Sequence, residues 1–357
     1  MLESEELVEL ENVADDELET FEEADTSLLS LSPVRSWCSN YRSSPIPCIV
    51  LDKRLNIIWQ NMAYTKLFRE EISSYIKNFA KIYYEYLGEE TIHDIYRALH
   101  SKDAGYSWHG KIEKRHRDHP TIITNVMFVP IMETGAQKKD PDAFAAIFTD
   151  ITKETRVMLK NMFQSLLEAS MLKDNDTGHH INRVNRYSRK MAEELFSRRD
   201  RDEVTWDFIE DIGFLAAMHD VGKIGTPDDI LNKNGKLESW EWEIMKEHTI
   251  NGAYILSTYP NPMAKDIALF HHEWWDGSGY PYGLIMENIP LASRIVAVAD
   301  VYDALRMKRA YKEPYSHEVA LEKIQDSSGT HFDPDMVNLF LRINKSFEAI
   351  YKELQDS

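Results

Sequence analysis

The chain has 357 residues, 43% of them hydrophobic, enough for two or three domains that each bury a core. Its formal charge of −19 is uneven: residues 1–25 hold twelve Asp or Glu and no Lys or Arg, leaving −7 for the rest. An acidic chain is not expected to bind nucleic-acid polymers, although a mildly acidic body leaves room for a small phosphate ligand held by local cations.

No apolar run reaches the ~18 residues of a membrane span, so no membrane partner is expected. Cys38 and Cys48 are too few for a disulfide framework or a thiolate zinc site. With no basic or apolar leader at its start, the chain is expected in a reducing cytoplasm. Residues 1–42 read as an acidic, disordered or loosely helical tail.

Strand patterns follow at 47–52 and 57–61, separated by the turn Lys53-Arg54-Leu55-Asn56. A helical pattern runs through Ala63, Leu67 and Phe68, and further strands are expected at 106–116, 121–132 and 143–148. Two strands, short helices and three strands, opening with Val50-Leu51-Asp52 to Trp59-Gln60-Asn61 and closing with Phe148-Thr149-Asp150-Ile151-Thr152, resemble a PAS sensor domain. The resemblance implies an α/β fold over 43–152 that binds a small molecule or haem, or only dimerises. His93, His100, His109, His116 and His119 read as exposed residues rather than haem ligands, so the PAS ligand stays unnamed. Residues 153–173 read as one connecting helix with an apolar seam at Leu159, Met162, Leu166 and Ala169. It either packs on its own domain or passes a signal onward, and a homodimer through the PAS-like domain and this helix fits the pattern.

Eight of the thirteen histidines lie beyond residue 170, several on apolar faces. Phe208, Ile212, Leu215 and His219 are spaced 4, 3 and 4 apart, so His219 falls on a buried helical stripe, with Asp220 beside it and Gly222 and Gly225 expected to end the helix. His180 shares a stripe with Val184, Tyr187, Met191 and Leu195, and Asp176 precedes it by one turn. His248 lies with Ile244, Gly252 and Ile255 on a helix expected from about residue 239. His271 follows Ala264, Ile267 and Ala268, and His272 adjoins it. Asp300 ends the apolar run 295–299, with Asp303 one turn on.

One such pair is ordinarily a hydrogen-bonded core pair. Five histidines and two or three carboxylates on inward faces form a different case, because buried charge is costly unless paired or metal-bound. Imidazole and carboxylate without thiolate suit iron, manganese or zinc. More than four ligands, one able to bridge, suit two or more metals that clamp a phosphate.

Six ordered motifs are similar to those of HD-GYP phosphodiesterases. They are Thr177-Gly178-His179-His180-Ile181-Asn182-Arg183-Val184, His219-Asp220-Val221-Gly222-Lys223-Ile224-Gly225, Met245-Lys246-Glu247-His248-Thr249, His271-His272-Glu273-Trp274-Trp275-Asp276-Gly277-Ser278-Gly279-Tyr280-Pro281, Ala299-Asp300-Val301-Tyr302-Asp303, and Gly329-Thr330-His331-Phe332-Asp333-Pro334. The resemblance implies an all-α bundle over 174–357 that hydrolyses cyclic di-GMP to linear pGpG, in some members on to GMP, using divalent ions, iron or manganese; Asp176, one carbon shorter than the family's glutamate, implies two ions here and slow release of GMP. By position it implies His180, His219, Asp220, His248, His271, His272 and Asp300 as metal ligands, with Asp220 bridging and catalytic. Lys223 would be catalytic and bind substrate, along with Arg183, Gly279, Tyr280, Arg309 and Lys312.

Three positions depart from the family pattern. Asp176 replaces a glutamate and would reach a metal only weakly or through water; Ala310 replaces a proline; Met286 replaces a glycine after the Tyr280 loop. A hydrolase for another nucleotide, or a non-catalytic cyclic di-GMP receptor, are the alternative readings.

Overall fold

The computed structural model describes residues 24–68, 78–132, 140–173, 178–307 and 313–354. Asp176, Arg309, Ala310 and Lys312 lie outside the described residues. The chain divides into two compact units: one runs to Met158 without His116–Pro120, and the other comprises that loop and the chain from Leu159 onward.

In chain order the first unit contains α1 (Ser32–Tyr41), β1 (Cys48–Leu51), β2 (Ile57–Gln60), α2 (Met62–Phe68), α3 (Phe79–His100), β3 (Trp108–Lys114), β4 (Ile122–Ile131) and β5 (Ala143–Asp150). All five expected strands form, as one antiparallel sheet in the order β2-β1-β5-β4-β3. Successive side chains of a strand point to opposite faces. Ile49 and Leu51 therefore join an aromatic core with Tyr64, Phe68, Phe79 and Tyr83, while Val50 joins a second core with Val34 and Cys38.

That second core corrects the expectation of a tail through residue 42. Val34 and Cys38, at i and i+4, give α1 a buried face, and Pro33 suits its first turn. Of the five histidines expected at the surface, His100, His109 and His119 are exposed and His93 and His116 are half-buried; His116 and His119 lie in the loop assigned to the second unit.

The second unit is helical. α4 (Thr152–Met171) leads in from β5, followed by α5 (Gly178–Arg198), α6 (Trp206–Leu215), a 3-10 helix (Ala216–Gly225), α7 (Asp228–Leu231), α8 (Ser239–Lys246), α9 (His248–Ile255), α10 (Pro262–Phe270), α11 (Leu291–Arg306), α12 (His317–Asp326) and α13 (Pro334–Glu353). No described helix is long and apolar enough to cross a membrane. The α5 stripe of His180, Val184, Tyr187, Met191 and Leu195 is buried as the spacing predicts. α11 is buried on every side from Leu291 to Ala299, so its sequence carries an unbroken apolar run rather than an amphipathic period.

The α4 seam is turned by one residue. Phe163, Leu167 and Ser170 are buried, whereas Met162 and Ala169 are exposed and Leu159 and Leu166 half-buried. One residue is about 100° around a helix, and Phe163 sets the angle by packing edge-on against Phe214 and Tyr259.

Candidate metal centre

The element around His219 is not the α-helix its periodicity suggested. α6 stops at Leu215, and the chain continues through Gly225 as a 3-10 helix. At three residues per turn, positions i and i+3 eclipse. Lys223 consequently stands over Asp220, with Nζ 2.8 Å from Oδ2.

Gly222 does not end this helix; it permits contact with α9. A Cβ on Gly222 would lie 1.8 Å from the carbonyl oxygen of His248 and 2.4 Å from the Gly252 nitrogen. Backbone thus meets backbone, and His248 is carried against Asp220. The helix expected through His248 is in fact two, α8 and α9, meeting at Glu247.

The donors fall into two adjoining groups. Ligand atoms of Asp220, His248, His271 and His272 all lie within 4.8 Å of one another, and so do those of His180, His219 and Asp300. Asp220 faces both groups. Its Oδ1 is 3.4 Å from His248 Nε2 and 3.8 Å from His271 Nε2, while Oδ2 is 3.1 Å from His219 Nε2. Asp300 Oδ1 lies 3.7 Å from both His180 Nε2 and His219 Nε2.

The other ring nitrogen decides what these imidazoles offer. Nδ1 donates to Ala216 O in His219 (2.8 Å), to Met245 O in His248 (2.7 Å) and to Ile267 O and Ala268 O in His271 (both 3.1 Å). A carbonyl can only accept, so a proton sits on each Nδ1, and in His248 and His271, which burial keeps neutral, Nε2 is left as a lone pair. Two such lone pairs, of His248 and His271, face each other at 3.4 Å, and His219 Nε2 is buried without a hydrogen bond. A cation between them removes the repulsion, so the donor set fits divalent metals.

Charge is arranged the same way. Burial, reinforced by neighbouring imidazoles, holds His271 well below the usual histidine range and His272 down at about 3, so both are neutral. Burial lowers His248 too. Burial alone would raise the carboxyl of Asp220, but Lys223 and His219 overcome it and hold the group well below its usual value. Burial acts against a charge on His219, yet Asp220 raises it to about 9. Asp220 is thus anionic and draws positive charge toward its end of the centre.

His180 is oriented differently. Its Nδ1 lies 2.7 Å from Oδ2 of the wholly buried Asp303. Arg183 grips the same carboxylate through Nε at 2.7 Å and Nη2 at 2.9 Å, and donates from Nη1 to Leu354 O at 2.7 Å. This overturns the expectation of Arg183 as a substrate cation: the guanidinium has no exposed surface. Spacing placed Asp303 one turn from Asp300, but its partners are 120 or more residues away and could not be read from the pattern.

The loop after His272 is fastened beside these donors. A Cβ on Gly279 would lie 2.2 Å from Trp274 N and 2.6 Å from His272 O, so this glycine serves close packing of the loop on its own stem. The buried Glu273, which the sequence reading left without a role, accepts from Tyr282 N at 2.7 Å and Leu284 N at 3.0 Å. Backbone bonds from Trp275 N to His331 O and Asp276 N to Thr330 O tie in the last of the six motifs. Tyr280 stacks on His272, ring centroids 4.7 Å apart. Met286 takes the left-handed φ of 51° at the position where the family pattern has glycine. On the opposite side, Leu167, Ser170 and Met171 of α4 line a cavity of ≈ 20 Å³ with His180, His219 and Asp220.

Among the described residues, the helical unit thus brings its inward imidazoles and two carboxylates together in two groups, each of which could hold a metal ion. Residues 167–336, just under half of the chain, match the HD domain family model. Among curated relatives, a cyclic di-GMP phosphodiesterase of Vibrio cholerae is 43% identical over 202 residues, covering 54% of this chain and 41% of the relative. A cyclic di-GMP phosphodiesterase of Thermotoga maritima is 42% identical over 201 residues, covering 55% and 53%. A 3′3′-cGAMP-specific phosphodiesterase of Vibrio cholerae is 39% identical over 206 residues, covering 57% and 38%. The chain thus spans about half the length of these relatives or less.

Proposed function

We propose that the chain is a metal-dependent phosphodiesterase that hydrolyses cyclic di-GMP to linear pGpG, with slow onward cleavage to GMP. The observation that carries this is Asp220, one oxygen turned to each donor group. His248, His271, His272 and Asp220 would hold one divalent ion, and His180, His219, Asp300 and the other Asp220 oxygen a second. Bound there, iron or manganese would supply Lewis-acid polarisation of the phosphodiester and an acidified water.

The chain's own groups do the rest. The Nδ1 contacts of His180, His219, His248 and His271 keep their Nε2 atoms aimed inward before substrate arrives, so no reorganisation of these rings is needed at the moment of reaction. Lys223, held at 2.8 Å by Asp220, places a positive charge where a non-bridging phosphate oxygen gains negative charge. Tyr280, on its braced loop, supplies a flat surface for a base. Arg309 and Lys312 remain proposed phosphate cations from the family resemblance. Asp176, one carbon shorter than the family glutamate, supports two tightly held ions rather than three.

The N-terminal unit is proposed as a PAS-like sensor, a reading supported by its five-stranded antiparallel sheet flanked by helices. Its route of control is α4, whose last turns line the cavity beside His180 and Asp220. The test is turnover of cyclic di-GMP by anaerobically purified protein, with product chromatography and metal analysis on one sample. Expected are pGpG accumulation, two ions per chain, and a changed but persistent rate when residues 1–150 are deleted. A metal-loaded protein that leaves cyclic di-GMP intact sinks the assignment.

A further inference from the structure

We propose that Trp242 and Lys246 of α8 form, with Tyr280, a guanine-selecting subsite at the mouth of the metal centre; this rests on the cyclic dinucleotide reading above. The two residues are spaced i and i+4, so they share one helical face. The Trp242 ring centroid is 6.4 Å from that of Tyr280, at 77°. Lys246 Nζ lies 5.9 Å from the same Tyr280 ring. Tyr280 in turn stacks on His272 and lies 6.4 Å from His248, so the series of rings runs from Trp242 to the metal donors.

Trp242 is 47% exposed. A large indole left half open beside a reactive centre leaves apolar surface in water, and a nucleobase is a ligand that covers it by stacking. Lys246 selects among bases. An ammonium only donates, and guanine presents two acceptors on one edge, O6 and N7, where adenine pairs N7 with an N6 donor. Lys246 is held in the free protein by Glu243 at 2.8 Å, a carboxylate 70% exposed, so its release costs little. With Arg183 committed to Asp303 inside the fold, Lys246 joins Lys223 as a cation on this side of the centre.

The test compares steady-state kinetics on cyclic di-GMP, cyclic di-AMP and the base-free ester bis(p-nitrophenyl) phosphate. Trp242→Ala should raise KM for cyclic di-GMP roughly tenfold with little change in kcat, and Trp242→Phe should recover most of that loss, because stacking tolerates any aromatic face. Lys246→Met should lower the preference for cyclic di-GMP over cyclic di-AMP by about tenfold, the discrimination of a two-acceptor contact. Trp240→Ala is the control: Trp240 is 60% exposed on the same helix but two residues away, about 200° around it, and should leave all three activities alone. An unchanged KM in Trp242→Ala, or an unchanged base preference in Lys246→Met, overturns the subsite while cyclic di-GMP turnover by the parent protein stands. A parent protein that cleaves the simple ester but no cyclic dinucleotide overturns the substrate reading and the subsite together.

Discussion

The two donor groups are built on different plans. Around Asp220, His248 and His271 are each oriented by a carbonyl three or four residues earlier in the chain. Around Asp300, only His219 is set this way; His180 depends on Asp303, itself clasped by Arg183, which is braced against the last described turn after α13. The first plan is local and comes with the helix end that carries the ligand. The second needs three separated segments in register, with a carboxylate and a guanidinium both wholly buried. A buried pair of that kind is costly to break from one side. The second group should therefore be the more easily emptied, although both share Asp220.

Substituting the shared residue gives the largest expected effect. Asp220→Ala should empty both groups and lower turnover on the order of 10³-fold or more, since metal polarisation supplies several kcal/mol and each ~1.4 kcal/mol is a decade. Near-native turnover with metal supplied would show that Asp220 does not join the two. Asp303→Asn should act on one side only. It removes the anion behind His180 and leaves Arg183 unmatched, so metal affinity of the Asp300 group should fall about 10–100-fold and stability by about 3–5 kcal/mol. Metal titration of the folded variant should resolve one tight and one weak ion; two equally tight ions would erase the contrast. Met286→Gly should touch neither group. It relieves a left-handed backbone at a small entropic cost, for a net gain of about 0.5–1 kcal/mol and a melting temperature about 2 °C higher. Altered metal content in that variant would mean the loop is coupled to the donors more tightly than its backbone bonds suggest.

The same contrast explains which features could be read without coordinates. His180 on its stripe, His219 beside Asp220, and the sheet of the first unit follow from side-chain period, because burial of an apolar face imposes 3.6 or 2 on the sequence. α1 was missed because ten residues with two buried side chains leave too weak a period beside an acidic run. The 3-10 geometry after Leu215 was missed because 3 and 3.6 are too close to separate over ten residues.

By itself, the sequence determined the chemistry available: imidazole and carboxylate without thiolate, on inward faces, with a glycine-rich loop and a lysine three residues after an aspartate. Those are properties of residue type and short spacing. Only the tertiary structure decided which nitrogen of each imidazole is free, that Asp220 faces two groups, that Arg183 serves Asp303 instead of a substrate, and that Gly222 serves the approach of α9. The nitrogen choice in His219, His248 and His271 turns on a carbonyl three or four residues earlier, which periodicity does not show, and the other features depend on contacts between segments 26 to 120 residues apart.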